Sequence, residues 1–211
     1  MSSRTAFPLL IFPYNGNGIE ALDCLDETYR FIGFIDDTPE KQGVDPHGYP
    51  VMPRKMLAGF PDACLLAVPG GPKSFLFRRQ VIDGLGISER RFATLIHPAA
   101  RISPRASVGR NVLIMAGVVL TSNARVGDHV CILPNAVIHH DTVIGAWSMI
   151  GANVTIAGSV AIGESCYVGS GSSVINDVRI GNRTMVGLGS NVIRDVAAGS
   201  TVAGNPARVL G

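Results

Sequence analysis

Three ionisable side chains stand together in a stretch of the sequence that is otherwise small or aliphatic. They are His139, His140 and Asp141, within the segment NAVIHHDTVIG. A histidine titrates near neutral pH, so it can accept a proton from a nucleophile, and an adjacent carboxylate can hold the ring and stabilise the imidazolium. The cluster therefore favours general-base chemistry over a merely solvated face, although its spacing alone does not distinguish the two histidines.

The cluster belongs to a repeat of six residues that fills the second half of the chain. Stepping by six from Ile102 to Ala198 gives seventeen positions, and sixteen of them are Ile, Leu or Val. The residue four places later is always Ala, Val, Thr, Ser or Cys, from Ala106 to Val202. A short strand plus one corner of a prism has this period, whereas a helix or a single strand does not. We expect an inward aliphatic residue, a small corner residue, a glycine that permits the bend, and an unbroken register.

The first half of the chain shows strands that alternate with helices. The predicted strands are AFPLLIF, RFIGFIDD and DACLLAVP, and the predicted helices are IEALDCLDETY and KSFLFRRQVIDGLG. This alternation predicts a parallel sheet, whose ligands bind at the carboxyl ends of the strands. Two turns at that edge are candidate ligand contacts, although either could be a helix or turn cap. They contain Asn15, Gly16 and Asn17 after the first strand, and Asp36 and Asp37 after the second.

Composition and charge narrow the class of protein. Of 211 residues, 46% are hydrophobic and 16% are charged, which is typical of a packed globular protein. The formal net charge is +2 and the basic residues do not cluster, which argues against a nucleic-acid partner. The apolar run AFPLLIFPY is too short to span a membrane. We expect a cytoplasmic protein without membrane insertion, whose free thiols show no metal-ligand spacing: Cys24, Cys64, Cys131 and Cys166.

The pairing of these two halves resembles the bacterial nucleotide-amino-sugar N-acetyltransferases of the hexapeptide-repeat family. Three segments carry the resemblance: FIDD, where the family has an acidic pair that holds the nucleotide base, VIHHDTVIG, which matches its catalytic hexad, and AGNPARVLG, which is similar to its closing tail. The resemblance implies a Rossmann-like α/β domain over residues 1–100 that binds the nucleotide sugar. It also implies a left-handed parallel β-helix over residues 101–211 that binds acetyl-CoA and forms a homotrimer.

The same resemblance implies an activity and roles for individual residues. The activity is acetyl transfer from acetyl-CoA to the 4-amino group of a nucleotide-linked dideoxy sugar, without a metal. The family's base directly precedes its acid, so His140 becomes the base, Asp141 its partner and His139 a substrate contact. Gly158 stands eighteen residues after His140, one coil further along in that fold, where its N–H would stabilise an oxyanion. Three further residues are expected to contact coenzyme A: Met149, Ser170 and Leu188.

One departure from the family keeps other interpretations open. The family's first turn usually reads Gly-x-x-Gly-His-Gly, but PYNGNG places Pro13 at the first glycine and Asn17 at the histidine. A transferase that acts on a sugar hydroxyl or an amino acid is therefore an alternative, as is a non-catalytic nucleotide-sugar-binding protein. A zinc hydratase on the same prism needs a His-x-x-x-x-His pair, which the five histidines do not provide. The unbroken repeats leave no long loop to close a site, which predicts an obligate oligomer.

Overall fold

The chain forms an α/β unit and a triangular prism of short strands, in a computed structural model that describes residues 6–210. No helix among these residues is long and apolar enough to cross a membrane. The strands of the α/β unit are β1 (Phe7–Phe12), β2 (Tyr29–Ile35), β3 (Gly43–Val44), β4 (Pro50–Met52) and β5 (Cys64–Ala67). Its α-helices are α1 (Gly16–Glu20) and α2 (Arg78–Asp83). Its 3-10 helices are Ala21–Cys24, Pro39–Lys41, Arg54–Gly59, Phe75–Phe77 and Glu89–Arg91.

The five strands form one sheet in the order β3-β4-β2-β1-β5, and only β3 runs antiparallel to its neighbour. Strands β1, β2 and β5 confirm the sequence pattern, while β3 and β4 were not predicted. Both α-helices are shorter than predicted, and 3-10 helices occupy the adjacent residues Ala21–Cys24 and Phe75–Phe77. Leu9 and Ile11 of β1 pack towards the prism, whereas Leu10 and Phe12 share a separate core with Ile82 of α2.

The prism has three faces, and each face is a ladder of short strands. Face 1 contains Leu95–Ile96, Leu113–Ile114, Cys131–Ile132, Met149–Ile150, Tyr167–Val168, Met185–Val186, Thr201–Gly204 and Ala207–Val209. Face 2 contains Arg101–Ile102, Val119–Leu120, Val137–Ile138, Thr155–Ile156, Ser173–Val174 and Asn191–Val192. Face 3 contains Ser107–Val108, Arg125–Val126, Val143–Ile144, Ala161–Ile162 and Arg179–Ile180.

Before the last coil, the strands of a face pair in parallel at an offset of one coil, or eighteen residues. Val137 pairs with Thr155, and Ile138 pairs with Ile156. The second residue of each strand points inward, so buried Ile, Leu and Val side chains fill the centre of the prism. This arrangement confirms the left-handed parallel β-helix that the sequence predicted. The prism begins at Leu95, which is earlier than the predicted domain boundary at residue 101.

The glycines that follow the inward aliphatic residues do not make the bends, so that expectation was wrong. The left-handed residue is the third one after the aliphatic position, as at Asn123 (φ 61°) and Asp141 (φ 59°). Asn and Asp adopt this conformation more readily than other residues with a side chain. The glycines are needed instead because successive coils touch. A Cβ on Gly145 would lie 2.5 Å from the carbonyl carbon of Gly163 in the next coil.

The repeat also slips in the last coil, which the sequence pattern did not predict. Val196 pairs with Ile180, sixteen residues away instead of eighteen. Ala198, the expected inward residue, is therefore exposed. Two residues are missing from the corner that follows Val192, and the chain then closes the prism with the antiparallel pair of Thr201–Gly204 and Ala207–Val209.

The α/β unit packs against face 1 and leaves faces 2 and 3 uncovered. The outward residues of face 1 join the sheet in one continuous core, whereas the outward residues of face 3 are mostly exposed. Face 1 contributes Leu113, Cys131, Met149 and Tyr167 to this core. Consequently the two corners beside face 1 adjoin the α/β unit, and the third corner, between faces 2 and 3, lies on the opposite side of the prism.

Candidate active site

His140 and Asp141 lie at the corner between faces 2 and 3, directly after the strand Val137–Ile138. Their side chains are 56% and 52% exposed, respectively. The small residue of this corner, Thr142, is buried, and its hydroxyl donates to the carbonyl of Ala157 at 2.9 Å. Nδ1 of His140 is 2.8 Å from Oδ2 of Asp141. The structure therefore brings together the two residues that the sequence singled out as base and acid.

Asp141 has a second partner, Asn123, which sequence reasoning missed. The Nδ2 amide of Asn123 donates to Oδ1 of Asp141 at 2.9 Å. Hydrogen bonds from Asn123 and from His140 hold the pKa of Asp141 below its usual range, so the carboxylate is charged at neutral pH. A charged Asp141 favours the tautomer of His140 that carries its proton on Nδ1, in which Nε2 is the proton acceptor. Asn123 precedes Asp141 by eighteen residues, and this offset was the signal that could have identified it.

Gly158 lies directly against the imidazole ring of His140. A Cβ at this position would be 2.5 Å from both Cε1 and Nε2 of the ring, so any side chain here would push the ring away. Gly158 is not in the left-handed conformation, and the bend of its coil falls on Ser159 (φ 60°). Gly158 therefore does not make the bend of its coil.

The backbone N–H of Gly158 donates no hydrogen bond within residues 6–210. At three comparable corner positions a side chain from the next coil caps the N–H, in the pairs Arg110 N to Asp128 Oδ1 at 2.7 Å, Ala152 N to Ser170 Oγ at 3.1 Å, and Glu164 N to Asn182 Oδ1 at 2.9 Å. At others within residues 6–210, such as Ser122 and Ala146, the N–H is uncapped as it is in Gly158. Gly158 thus offers an uncapped donor beside the Nε2 edge of His140. A proton acceptor and an N–H donor at one corner suit a reaction in which a nucleophile loses a proton as an oxyanion forms.

His139 is exposed at the same corner, and its backbone N–H donates to the carbonyl of Ile156 at 2.9 Å. Its side chain makes no hydrogen bond within the described part of the chain. A role in contacting substrate therefore stays a prediction.

The first turn at the carboxyl edge of the sheet holds Asn15, Gly16 and Asn17. Asn15 is the N-cap of α1, because its Oδ1 accepts from Gly18 N at 2.8 Å. The turn is tight, and a Cβ on Gly18 would lie 2.4 Å from the carbonyl oxygen of Pro13. Gly16 is exposed, with no heavy atom within 4 Å of a Cβ placed there, and Asn17 is half-buried. Gly16 and Asn17 therefore border the open edge of the sheet, while the side chain of Asn15 caps the helix.

Asp36 follows β2 and is buried. Its Oδ1 accepts from Thr38 N at 2.9 Å, and its Oδ2 is 3.0 Å from Nζ of Lys41. Burial opposes ionisation, but the hydrogen bonds from Thr38 and Lys41 outweigh it, so the pKa of Asp36 lies below its usual range. Lys41 also donates to the carbonyl of Tyr14 at 2.9 Å. This lysine, which sequence reasoning missed, connects the turn after β1 to the turn after β2.

Asp37 is held by Arg54, also missed in the sequence. Arg54 donates its backbone N–H to Oδ1 at 2.7 Å, and its Nε and Nη2 atoms to Oδ2 at 2.8 and 2.6 Å. The backbone hydrogen bond is the main reason that the pKa of Asp37 is lowered. Beside this acidic pair, the ring of Tyr14 packs on Phe34 with centroids 5.0 Å apart. The carboxyl edge thus combines two paired carboxylates with an aromatic surface.

The three residues expected to contact coenzyme A are not at the corner of His140. The prediction for Met149 is wrong, because its side chain is only 3% exposed and packs on face 1 under Gly70 of the α/β unit. Ser170 and Leu188 lie at the corner between faces 1 and 2. The hydroxyl of Ser170 accepts from a backbone N–H, while Leu188 is 72% exposed. No group of three or more potential metal ligands occurs among residues 6–210.

Comparisons with known proteins show similarity in the hexapeptide repeats and in the overall structure. A family model for the bacterial transferase hexapeptide (six repeats) matches residues 123–158, which include Asn123, His140, Asp141 and Gly158. No curated protein sequence matches the chain. The acetyltransferase domain of PglB from Neisseria gonorrhoeae FA1090, solved with acetyl coenzyme A, is 29% identical. The alignment covers 97% of this chain and 100% of that chain, with a TM-score of 0.86.

PerB from Caulobacter crescentus, solved with CoA and GDP-perosamine, is 28% identical over 100% of both chains, with a TM-score of 0.85. Histidine-to-asparagine and histidine-to-alanine variants of that N-acetyltransferase also match. WeeI from Acinetobacter baumannii AYE is 23% identical over 98% of this chain and 100% of its own, with a TM-score of 0.80, which supports the fold alone.

Proposed function

We propose that the chain, an acyltransferase with hexapeptide repeats, transfers the acetyl group of acetyl-CoA to the 4-amino group of a nucleotide-linked dideoxy amino sugar. The main support is the contact between His140, held by Asp141, and Gly158 with its uncapped N–H. Further support comes from the PglB domain and PerB, which were solved with acetyl coenzyme A and with CoA and GDP-perosamine, respectively.

The chemistry is a direct transfer between two bound substrates. The neutral amine attacks the thioester carbonyl while Nε2 of His140 removes its proton, and Asp141 stabilises the resulting imidazolium. The N–H of Gly158 donates to the carbonyl oxygen as negative charge develops on it. The carbon–sulfur bond then breaks, and the imidazolium returns the proton to the departing coenzyme A thiolate. The thioester is already activated, so positioning and charge stabilisation are sufficient.

We infer that the active site is shared between subunits of a homotrimer. The α/β unit covers face 1, whereas His140 stands at the opposite corner, so a sugar bound by one chain cannot reach the His140 of that chain. The α/β unit and Gly158 lie at the same height along the prism axis. A Cβ on Gly70 of the α/β unit would lie 3.2 Å from Met149, and the strand of Met149 directly precedes Thr155–Ile156, the strand before Gly158. In a trimer with parallel prisms, the α/β unit of one subunit would therefore be level with the Gly158 coil of its neighbour.

The decisive experiment measures coenzyme A release from acetyl-CoA with a panel of UDP-, GDP- and dTDP-linked 4-amino sugars. His140→Ala is run in parallel, with His139→Ala as the matched control on the adjacent residue. Turnover with one donor that is lost in His140→Ala and retained in His139→Ala would support the reaction, the acceptor class and the base together.

Two other outcomes would contradict the proposal. Turnover only with hydroxyl sugars or amino acids would favour the other acceptors that Asn17, in place of the family histidine, keeps open. Binding of a nucleotide sugar without any acetyl transfer would favour a non-catalytic binding protein.

A further inference from the structure

Arg78, the first residue of α2, is buried without a carboxylate partner. Its side chain is only 1% exposed, and no ion pair among residues 6–210 involves it. Burial lowers the pKa of Arg78 to about 10, so the guanidinium stays protonated at neutral pH. A buried charge costs several kcal/mol unless its donors are satisfied. An apolar residue would fill this position without that cost, so the hydrogen bonds of the guanidinium are the reason to examine for its burial here.

The guanidinium donates to three backbone carbonyls that belong to two parts of the fold. Nη1 donates to the carbonyl of Pro69, in the turn formed by residues 68–74 after β5. Because β5 is the third of the three strands predicted from the sequence, we call this turn the third-strand turn. Nη2 donates to His129 at 2.6 Å, and Nε donates to Trp147 at 3.1 Å. His129 and Trp147 occupy the prism corner between faces 3 and 1. Arg78 thus connects the carboxyl edge of the sheet to the prism.

The third-strand turn is also packed onto the stem of Arg78. Gly70 has a φ of +113°, and a Cβ there would lie 2.8 Å from Cγ of Arg78. The turn therefore adopts a conformation that favours glycine, and it does so in contact with the side chain that holds the carbonyl of Pro69. Removing the guanidinium would release the turn from both the prism corner and α2.

The prism side of this connection is rigid. The rings of His129 and Trp147 stack with centroids 3.8 Å apart and an interplanar angle of 7°. Burial lowers the pKa of His129 to about 4, so the ring is neutral, and its Nδ1 is 2.9 Å from Nδ2 of Asn111. Asn111 in turn bonds both the N–H and the carbonyl of Ala67 in β5. Two neighbouring groups at the end of β5, Ala67 and Pro69, are therefore fixed to the same corner.

We propose that Arg78 is a positioning residue that fixes the third-strand turn at the acceptor-binding edge, and thereby sets the reach of the acceptor amine towards the acetyl group. The inference rests on the proposed function for its kinetic consequence, but not for its structural one. Arg78 itself touches no substrate, because it lies beneath the turn. Transfer needs the reacting atoms about 3 Å apart, so a small shift of the turn would weaken productive acceptor binding.

The structural test uses limited digestion by trypsin, which requires no activity. Lys73 is exposed in the third-strand turn, and Lys55 is exposed elsewhere in the α/β unit and serves as an internal reference. In Arg78→Met we expect cleavage after Lys73 to accelerate roughly tenfold while cleavage after Lys55 stays unchanged. In Arg78→Lys, which keeps the charge and some of the hydrogen bonds, the rate of cleavage after Lys73 should lie between those of the wild type and Arg78→Met. Arg90→Met, a change to an exposed arginine, should match the wild type.

The kinetic test follows the Michaelis constants of both substrates. We expect Arg78→Met to raise KM for the amino sugar by about tenfold, with KM for acetyl-CoA within about twofold of wild type and partial rescue in Arg78→Lys. Equal acceleration of cleavage at both lysines, or no acceleration at either, would overturn the positioning role of Arg78. Failure of the proposed function would look different, because selective cleavage at Lys73 would persist in a protein that transfers no acetyl group to any amino sugar.

Discussion

Gly158 and His140 are in contact across two successive coils, so closely that a Cβ on Gly158 would lie 2.5 Å from Nε2 of His140. The contact arises because residues eighteen apart stack along one corner of the prism. It places the N–H of one coil beside the proton acceptor of the preceding coil. The chemistry proposed for this corner therefore depends on the spacing between coils as much as on the residue types.

Gly158→Ala should lower kcat by at least about a hundredfold, because the added methyl group displaces the His140 ring from the corner. Steady-state kinetics with the best amino-sugar donor would measure the loss, and calorimetric titration would check that acetyl-CoA still binds. Gly59→Ala is the matched control, since a Cβ on Gly59 meets nothing within 4 Å. A Gly158→Ala enzyme with wild-type kcat would contradict the catalytic contact.

Asn123→Ala should lower kcat by about tenfold, because Asp141 loses the hydrogen bond that orients it. It should also change the pH dependence of stability. The pKa of Asp141 is lowered in the folded state, so its charged form stabilises the fold. This stabilisation is present above the ordinary carboxyl pKa of about 4 and is lost as the pH falls through the lowered value. Urea unfolding should therefore show Asn123→Ala less stable than wild type at neutral pH, with a smaller difference in acid.

Asn153→Ala controls for the left-handed backbone, which Asn153 (φ 55°) shares with Asn123 (φ 61°) at a different corner. Both variants place an alanine in the same strained conformation. A pH-independent stability loss of equal size in the two variants would mean that Asn123 acts only through its backbone.

The sequence predicted which residues lie together at the corner of His140, because a β-helix places residues eighteen apart in sequence next to each other in space. His140 and Asp141 were adjacent in the chain, and the offset of eighteen residues led directly to Gly158. The sequence did not predict the slip in the last coil, for a related reason. Valine is acceptable both as the inward residue and as the corner residue, so Val196 fits the repeat in either register.

Contacts between the two parts of the fold could not be predicted from the same pattern. The repeat specifies which residues point outward, but it does not reveal which face the α/β unit covers. Met149 was therefore expected at a coenzyme site, whereas it packs under Gly70. The contacts of Arg78 with His129 and Trp147 join residues far apart in sequence, and no local motif marks them.

Lys41→Met should destabilise the protein by about 1 kcal/mol at neutral pH, because buried Asp36 loses the partner that favours its charged form. The lowered pKa of Asp36 again means that the difference from wild type should shrink as the pH falls below about 4. Urea unfolding at several pH values would measure the difference in the free energy of unfolding between the wild type and Lys41→Met. Asp36→Asn combined with Lys41→Met should recover part of the loss, and a double variant as unstable as the sum of the two single changes would contradict the pairing.

The shared active site predicts complementation between two inactive variants. Gly16→Trp should block the acceptor edge without disturbing the fold, since a Cβ on Gly16 meets no atom within 4 Å. His140→Ala removes the base on the opposite side of the prism. Unfolding the two variants together at equal concentration and refolding them should produce trimers in which about a quarter of the sites combine an intact acceptor edge with an intact His140. Recovery of about a quarter of wild-type turnover, measured as coenzyme A release, is therefore expected, with each variant refolded alone as the control.

A mixture that stays inactive while trimers form would mean that each chain carries its own complete site, which the placement of the α/β unit on face 1 argues against.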